Sequence, residues 1–272
     1  MDRKRIVGVN SNCYHGYSIE DAIKGAAEAG FHYMELTATK GWTEHVFPDQ
    51  PLRQLLKVKD MLKEYSIIPF AMSGHCNLMD TERMSDFIEN IRLAAFFGCD
   101  YIVSSIGEAH IANHAVASNE VVAQHIRAFL PYLEEADMQL VLEVHGEHGD
   151  GKILKEIVTL VDSPRVSINY DTANAIFYGG VNVAEDLEAC VDRVGYMHLK
   201  DKAGAQKEWN FPGLGEGNID FPAVFEILKK YNNNCPFSLE IEFTQAGPKD
   251  LKEINDAVKV SAEYLKNAGF EI

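Results

Sequence analysis

Residues 6–15 read IVGVNSNCYH, a short apolar run of strand length followed by a polar turn. A segment with helical periodicity starts at Ile19, with Ser18 placed as its N-cap and Asp21 three residues further on. An open dinucleotide-binding sheet would be expected to carry a G-x-G-x-x-G turn after its first strand, and residues 10–15 contain no glycine. The opening unit is therefore strand, polar turn and helix, without a phosphate-binding loop.

The same unit recurs along the whole chain. The predicted strands are Ile6–Val9, Tyr33–Leu36, Ile67–Met72, Tyr101–Ser104, Gln139–Leu142, Val166–Ile168, Val194–Met197 and Phe237–Leu239. The predicted helices are Ile19–Ala29, Leu52–Tyr65, Thr81–Phe97, Ala115–Ala136, Lys152–Val161, Val183–Cys190, Pro222–Tyr231 and Lys249–Ala268. Strict alternation implies parallel strands with right-handed crossovers, and eight units favour a barrel over an open sheet. We therefore expect one α/β domain over residues 1–272, a (β/α)8 TIM barrel.

The amino-acid composition is that of a globular protein with an excess of acidic residues. The chain of 272 residues has 25 Lys+Arg against 41 Asp+Glu, a formal net charge of −16, and 46% hydrophobic residues. This acidic balance argues against nucleic acid and anionic membranes, because both bind proteins largely through Lys and Arg. No segment approaches the ~20 apolar residues of a membrane helix, and the basic start Met1–Arg5 leads into only a short apolar run.

The cysteines suggest where the protein works. There are five, an odd number, widely scattered and without a C-x-x-C pair: Cys13, Cys76, Cys99, Cys190 and Cys235. This pattern favours reduced thiols over disulfides or a thiolate zinc site, and we expect a cytoplasmic protein.

Ionisable side chains end nearly every predicted strand. In a (β/α)8 barrel, catalytic residues lie at these C-terminal strand ends. The residues at these positions are Asn10, Glu35, His75, Glu108 with His110, Glu143 with His145, Asp171, His198 with Lys200, and Glu240 with Glu242. A single Glu or His there more often solvates a loop than binds a ligand, and this is our expectation for Glu35, His75, Glu108 and His110. The second half differs, because four consecutive strands supply carboxylate, carboxylate, imidazole and carboxylate.

This second set predicts a metal site. Glu143, Asp171, His198 and Glu240 would give three oxygen donors and one imidazole, which suits Mn²⁺, Mg²⁺, Co²⁺ or a similar divalent ion. Three converging carboxylates without a cation would repel one another. If Glu143 and Glu240 lie across the ion, each can exchange a proton with a substrate carbon beside a metal-polarised carbonyl.

These residues and their spacing resemble the xylose-isomerase-like TIM-barrel family of sugar and sugar-phosphate isomerases and epimerases. The matching segments are Gly8–Asn12, Tyr33–Leu36, Leu142–Gly146, Asn169–Asn174, Met197–Asp201, Gly213–Phe221 and Ser238–Glu242. The resemblance implies one divalent ion, commonly Mn²⁺ with Mg²⁺, Co²⁺ or Zn²⁺ as alternatives, bound by the residues matching Glu143, Asp171, His198 and Glu240. It also implies that Glu143 and Glu240 relay protons through an enediolate. Glu240 is preferred to Glu242 because family members place the ligand directly after the apolar run.

The sequence departs from the ketose epimerases of that family at two places. Asn174 stands where they often carry His, and Lys200 and Lys202 stand where they carry Arg after the metal-binding His. Lys200 and Lys202 could hold a phosphate or a carboxylate, and Lys202 could equally be a surface lysine. The predicted substrate-binding residues are His75, His145, Glu147, Asn174 and Lys200.

The leading hypothesis is a metal-dependent isomerase or epimerase of a sugar, sugar phosphate or keto-polyol. The alternatives are a dehydratase of the inositol-catabolic type, a nuclease of the apurinic-site type with three zinc ions, and a non-catalytic sugar-binding barrel. His75 and His110 suit the nuclease, whereas the net charge of −16 opposes a DNA substrate. The sequence is compatible with a homo-oligomer.

Overall fold

The computed structural model describes residues 5–107 and 116–272. Eight strands in this part of the chain form the barrel: β1 Val7–Asn10, β2 Tyr33–Thr39, β3 Ile68–Ser73, β4 Tyr101–Ser104, β5 Gln139–Glu143, β6 Val166–Asp171, β7 Val194–Leu199 and β8 Phe237–Leu239. Each strand pairs in parallel with the next, and β8 pairs with β1 through Phe237 opposite Val7, which closes the sheet. The predicted (β/α)8 barrel is confirmed.

A helix follows each barrel strand. In the described residues these are α1 Ile19–Ala29, α2 Leu52–Glu64, α3 Met84–Phe97, α4 Asn119–Glu135, α5 Gly151–Val161, α6 Val183–Cys190, α7 Phe221–Lys230 and α8 Leu251–Asn267. Ser18 and Asp21 form the predicted capping box, which fixes the start of α1. Residues Thr81–Arg83, predicted as helix, form a separate 3₁₀ turn because the Asp80 side chain caps the backbone N–H of Glu82. The predicted first residue of α4, Ala115, lies outside the described residues.

Packing inside the barrel directs the polar residues toward one rim. A buried plug of Phe70, Ala71, Val103, Val141 and Tyr196 fills the barrel interior. Side chains alternate between faces along a regular strand, so the residues two positions after Val141 and Tyr196 also point inward. Glu143 follows Val141 on β5 and His198 follows Tyr196 on β7, and both therefore lie above the plug at the C-terminal rim.

Short elements shape this rim. Thr43–Glu44 pairs antiparallel with the end of β2, and Asn210–Phe211 pairs antiparallel with Phe243–Thr244. The buried carboxylate of Asp201 accepts hydrogen bonds from the backbone N–H groups of Gly215, Gly217 and Ile219. One side chain thereby fixes the loop that runs from β7 to α7.

All five cysteines are free and buried. Within the described ranges, no helix combines the length and the apolar character needed to cross a membrane.

Candidate metal centre and substrate cleft

The four predicted metal ligands come together at the C-terminal rim. Glu143 ends β5, Asp171 ends β6, His198 lies in β7 and Glu240 directly follows β8. All four are buried, and one possible ligand atom from each lies within 4.8 Å of the others. Nδ1 of His198 is 3.2 Å from Oε1 of Glu143 and 3.4 Å from Oε2 of Glu240. A single cation could therefore contact all four side chains.

The charge and hydrogen bonding of Asp171 fit a cation. Its Oδ1 accepts hydrogen bonds from the backbone N–H groups of Ala173 and Asn174 at 2.9 and 2.8 Å. Its Oδ2 is buried and has no hydrogen-bond partner in the described residues, with Nδ1 of His198 3.8 Å away. A buried carboxylate oxygen without a partner is costly, and a divalent ion held by three carboxylates and one imidazole would satisfy it.

Glu35, at the inner end of the site, differs from its sequence-based prediction. We expected it to solvate a loop, yet its side chain is fully buried. Its carboxylate accepts hydrogen bonds from the hydroxyls of Ser73 at 2.7 Å and Tyr196 at 2.8 Å, and lies 3.0 Å from Nε2 of His198. Burial acts to raise the pKa of Glu35, but the charge and hydrogen bond of His198 outweigh burial and leave that pKa lowered. The alternation that points Glu35 inward was the only signal for it.

The two predicted catalytic glutamates have different neighbours. Glu240 accepts hydrogen bonds from the side-chain amides of Asn10 and Asn12 and lies 3.5 Å from Nζ of Lys200. Burial acts to raise its pKa, but Lys200 and then His198 hold the pKa well below its ordinary range. Burial raises the pKa of Glu143 to about 8, against the opposing effect of His198.

Two predicted substrate-binding residues contact Glu143 directly. Asn174 donates to Oε1 of Glu143 at 3.1 Å. Nδ1 of His75 accepts the backbone N–H of Ser105 at 2.9 Å, so the proton of its neutral ring is on Nε2, which lies 3.1 Å from Oε2 of Glu143. Both residues therefore help to hold a carboxylate of the site as well as facing the cleft.

A cleft opens above the four predicted ligands, and the predicted substrate-binding residues differ in their relation to it. It is lined by Asn12, Thr37, Thr39, Lys40, Trp42, Ser73, His75, Ser105, Glu143, His145, Asn174, Lys200, Glu240 and Glu242. His145 is half-buried and packs against Tyr178, with ring centroids 4.7 Å apart. Glu147 is exposed and is absent from the lining that the described residues provide. Glu108 and His110 lie outside the described residues.

Lys200 and Lys202 have different surroundings, although only Asp201 separates them in the sequence. Nζ of Lys200 lies 2.5 Å from Oε2 of Glu242 and 4.6 Å from the centre of the Phe211 ring, inside the cleft. Lys202 is buried and donates to the backbone carbonyls of Ala203 and Ala205, so the surface position considered for it is wrong. Glu242 pairs with Lys200, while Glu240 joins the four-ligand cluster.

The curated proteins similar to this chain include sugar epimerases and inosose dehydratases. An L-ribulose 3-epimerase from Methylomonas sp. is 25% identical over 238 residues, covering 80% of this chain and 77% of that protein. An inosose dehydratase from Clostridium botulinum is 28% identical over 150 residues, covering 48% of this chain and 49% of that protein. Among the curated relatives, the matches cover from 40% to 77% of the relative's own length.

Solved structures share the fold. The crystal structure of a D-allulose 3-epimerase from Methylomonas sp. superposes with a TM-score of 0.75 at 20% identity, covering 97% of this chain and 98% of that one. A family model described as xylose isomerase-like TIM barrel matches residues 23–268. The chain therefore belongs to the xylose isomerase-like TIM-barrel family.

Proposed function

We propose that this protein is a divalent-metal-dependent isomerase that epimerises a small ketose by proton transfer. The observation that carries the proposal is the placement of two glutamates at one candidate cation site, Glu143 from β5 and Glu240 after β8, at 3.2 and 3.4 Å from His198 Nδ1. The sugar epimerases among its relatives support the reaction class. Because three carboxylates and one imidazole converge, we prefer metal-assisted proton transfer to metal-free chemistry.

Glu143, Asp171, His198 and Glu240 would hold one divalent ion, for which we propose Mn²⁺, with Mg²⁺, Co²⁺ or Zn²⁺ as alternatives. When bound, such an ion polarises a substrate carbonyl and makes the neighbouring C–H more acidic.

The side chains of the site are held in a way that suits proton transfer. Asn10 and Asn12 fix Glu240, and His75 and Asn174 fix Glu143. If one glutamate removes the proton on one face of the carbon and the other returns a proton on the opposite face, the carbon inverts its configuration. The protons balance, the intermediate is an enediolate, and epimerisation needs no redox partner.

Product analysis tests this proposal. Metal-loaded protein would be incubated with free ketopentoses and ketohexoses and with an inosose, and NMR would identify the products. We expect an epimer at the carbon beside the carbonyl. Loss of water from the inosose without epimerisation would instead favour the dehydratase suggested by the 28% identical relative. A Glu143→Gln/Glu240→Gln double variant controls for contaminating enzymes, and binding of sugars without turnover would contradict the proposal.

A further inference from the structure

Lys200 is the one lysine deep inside the described cleft, and its ammonium group is surrounded by carboxylates. Nζ lies 2.5 Å from Oε2 of Glu242, 3.5 Å from Oε2 of Glu240 and 4.0 Å from Oδ2 of Asp171. Glu242 is itself held, because its other oxygen accepts a hydrogen bond from the Asn12 side chain at 3.2 Å. The ammonium is therefore part of a fixed, charge-compensated pair, and the pair lines the cleft.

Other cations that could receive an anionic substrate are scarce. Of the described residues lining the cleft, only Lys40 is a further lysine and none is an arginine. Lys40 is exposed at the rim, and its Nζ lies 3.8 Å from Oδ2 of Asp86. The ammonium of Lys202 is bound by backbone carbonyls. Residues 108–115, outside the described part, read EAHIANHA and contain neither lysine nor arginine.

The carboxylates outnumber these cations. Glu143, Glu240 and Glu242 line the cleft, Asp171 belongs to the cluster with Glu143 and Glu240, and all four are largely buried. A divalent ion bound by Glu143, Asp171 and Glu240 would leave one of their three negative charges uncompensated. The single positive charge of Lys200 compensates only Glu242. Buried walls carrying one sign of charge focus their field into a cleft and repel ligands of that sign. A phosphate dianion would therefore enter against this field.

We propose that the substrate of this site is an uncharged, non-phosphorylated ketose and that the Lys200–Glu242 pair determines this preference. The proposal rests on the sugar-epimerase function proposed above. The pair offers ammonium donors beside a carboxylate acceptor, which suits neighbouring hydroxyl groups that both donate and accept. A phosphate would have to compete with Glu242 for the same ammonium group.

Paired kinetics test the proposal. For the metal-loaded wild type, we expect kcat/KM for L-ribulose to exceed that for L-ribulose 5-phosphate by about tenfold or more, as expected for one unfavourable charge contact. Glu242→Gln keeps the shape of the side chain and frees the Lys200 charge, and should shift this ratio toward the phosphate ester by roughly tenfold. Glu263→Gln removes the same charge at an exposed position of α8 and serves as the matched control, with no shift expected. Thermal melting of each variant checks that it is folded.

The results separate this proposal from the general function. A wild type that prefers the phosphate ester, or a Glu242→Gln variant with an unchanged ratio, overturns the assignment to Lys200 and Glu242. If neither ketose reacts and the other free ketopentoses and ketohexoses also give no epimer, the proposed epimerase activity fails, and calorimetric binding of two unreactive probes decides the charge preference. Tighter binding of ribitol than of ribitol 5-phosphate supports an uncharged ligand, and the reverse order overturns it. Binding of neither probe overturns both proposals.

Discussion

Nε2 of His198 lies 3.0 Å from Oε2 of Glu35, while the other ring nitrogen faces the carboxylates of Glu143 and Glu240. An imidazole binds a cation through the nitrogen that carries no proton. Because the Glu35 carboxylate accepts a hydrogen bond from Nε2–H, Nδ1 is the nitrogen left for a metal. Residues outside the metal's direct contacts commonly fix histidine ligands in this way.

Glu35→Gln tests this relationship. The substitution keeps the size of the side chain and removes the charge that orients His198, and we expect metal affinity to fall by about 10- to 100-fold. Titration calorimetry with Mn²⁺ measures it. Ser73→Ala removes one hydrogen bond to Glu35 but leaves the contact between Glu35 and His198, so metal affinity should fall less in this variant than in Glu35→Gln. Equal affinity of Glu35→Gln and wild type would show that Glu35 does not act on the metal site.

Asp171→Asn should lower metal occupancy with little loss of stability, because a rim residue lies outside the packed layers of the barrel. Its Oδ2 has no protein hydrogen-bond partner in the described residues. Elemental analysis and thermal melting measure the two effects, and we expect about one metal ion per wild-type chain. Three tightly held zinc ions would favour the nuclease hypothesis, and global unfolding of Asp171→Asn would contradict its placement at the rim.

Asp201→Asn should lower the stability of the fold and leave metal binding intact, the opposite of Asp171→Asn. In this variant an amide nitrogen replaces one of the two carboxylate oxygens and cannot accept the hydrogen bonds made there, either those of Gly215 and Gly217 at Oδ2 or that of Ile219 at Oδ1. We expect a loss of about 1–3 kcal/mol in the free energy of unfolding, with metal binding retained once the protein is folded. Denaturant unfolding checks the first effect and calorimetry the second. Loss of metal binding at full stability would mean that the loop serves the metal site instead.

The sequence was sufficient to predict the barrel and the clustering of the four candidate ligands, for physical reasons. Strand and helix patterns alternate without interruption, and parallel strands end at one rim, so Glu143, Asp171, His198 and Glu240 had to meet. Glu35 was harder to recognise, because a lone acid at a strand end has the same residue type and position whether it faces solvent or a buried imidazole, and only alternation along the strand separates the two cases. The burial of Lys202 depends on backbone carbonyls, which leave no trace in the side-chain pattern.

His45 should make the fold sensitive to acid. Burial lowers the pKa of His45 to about 4, whereas a histidine in the unfolded chain titrates near 6.5. Between these values the unfolded chain binds more protons, so stability is present above pH ~6.5 and is lost as pH falls toward 4, by up to about 3 kcal/mol.

His45→Gln should remove this part of the pH dependence while keeping a donor for the backbone carbonyl of Tyr17. Urea unfolding of metal-free protein at pH 7.5 and 5 measures it, with His32→Gln as a control at an exposed position. An unchanged pH slope in His45→Gln would rule out His45 as the source.

The most direct test of the proposed mechanism is deuterium incorporation from D₂O during turnover of a free ketose. We predict deuterium at the inverted carbon beside the carbonyl. In Glu143→Gln and Glu240→Gln the rate of deuterium incorporation should fall by about 10²–10⁴-fold or more, because each substitution removes an acid–base group. Glu242→Gln should still incorporate deuterium. An epimerised product without deuterium would contradict proton transfer by Glu143 and Glu240. Deuterium incorporation that is lost in Glu242→Gln but kept in Glu240→Gln would contradict it as well.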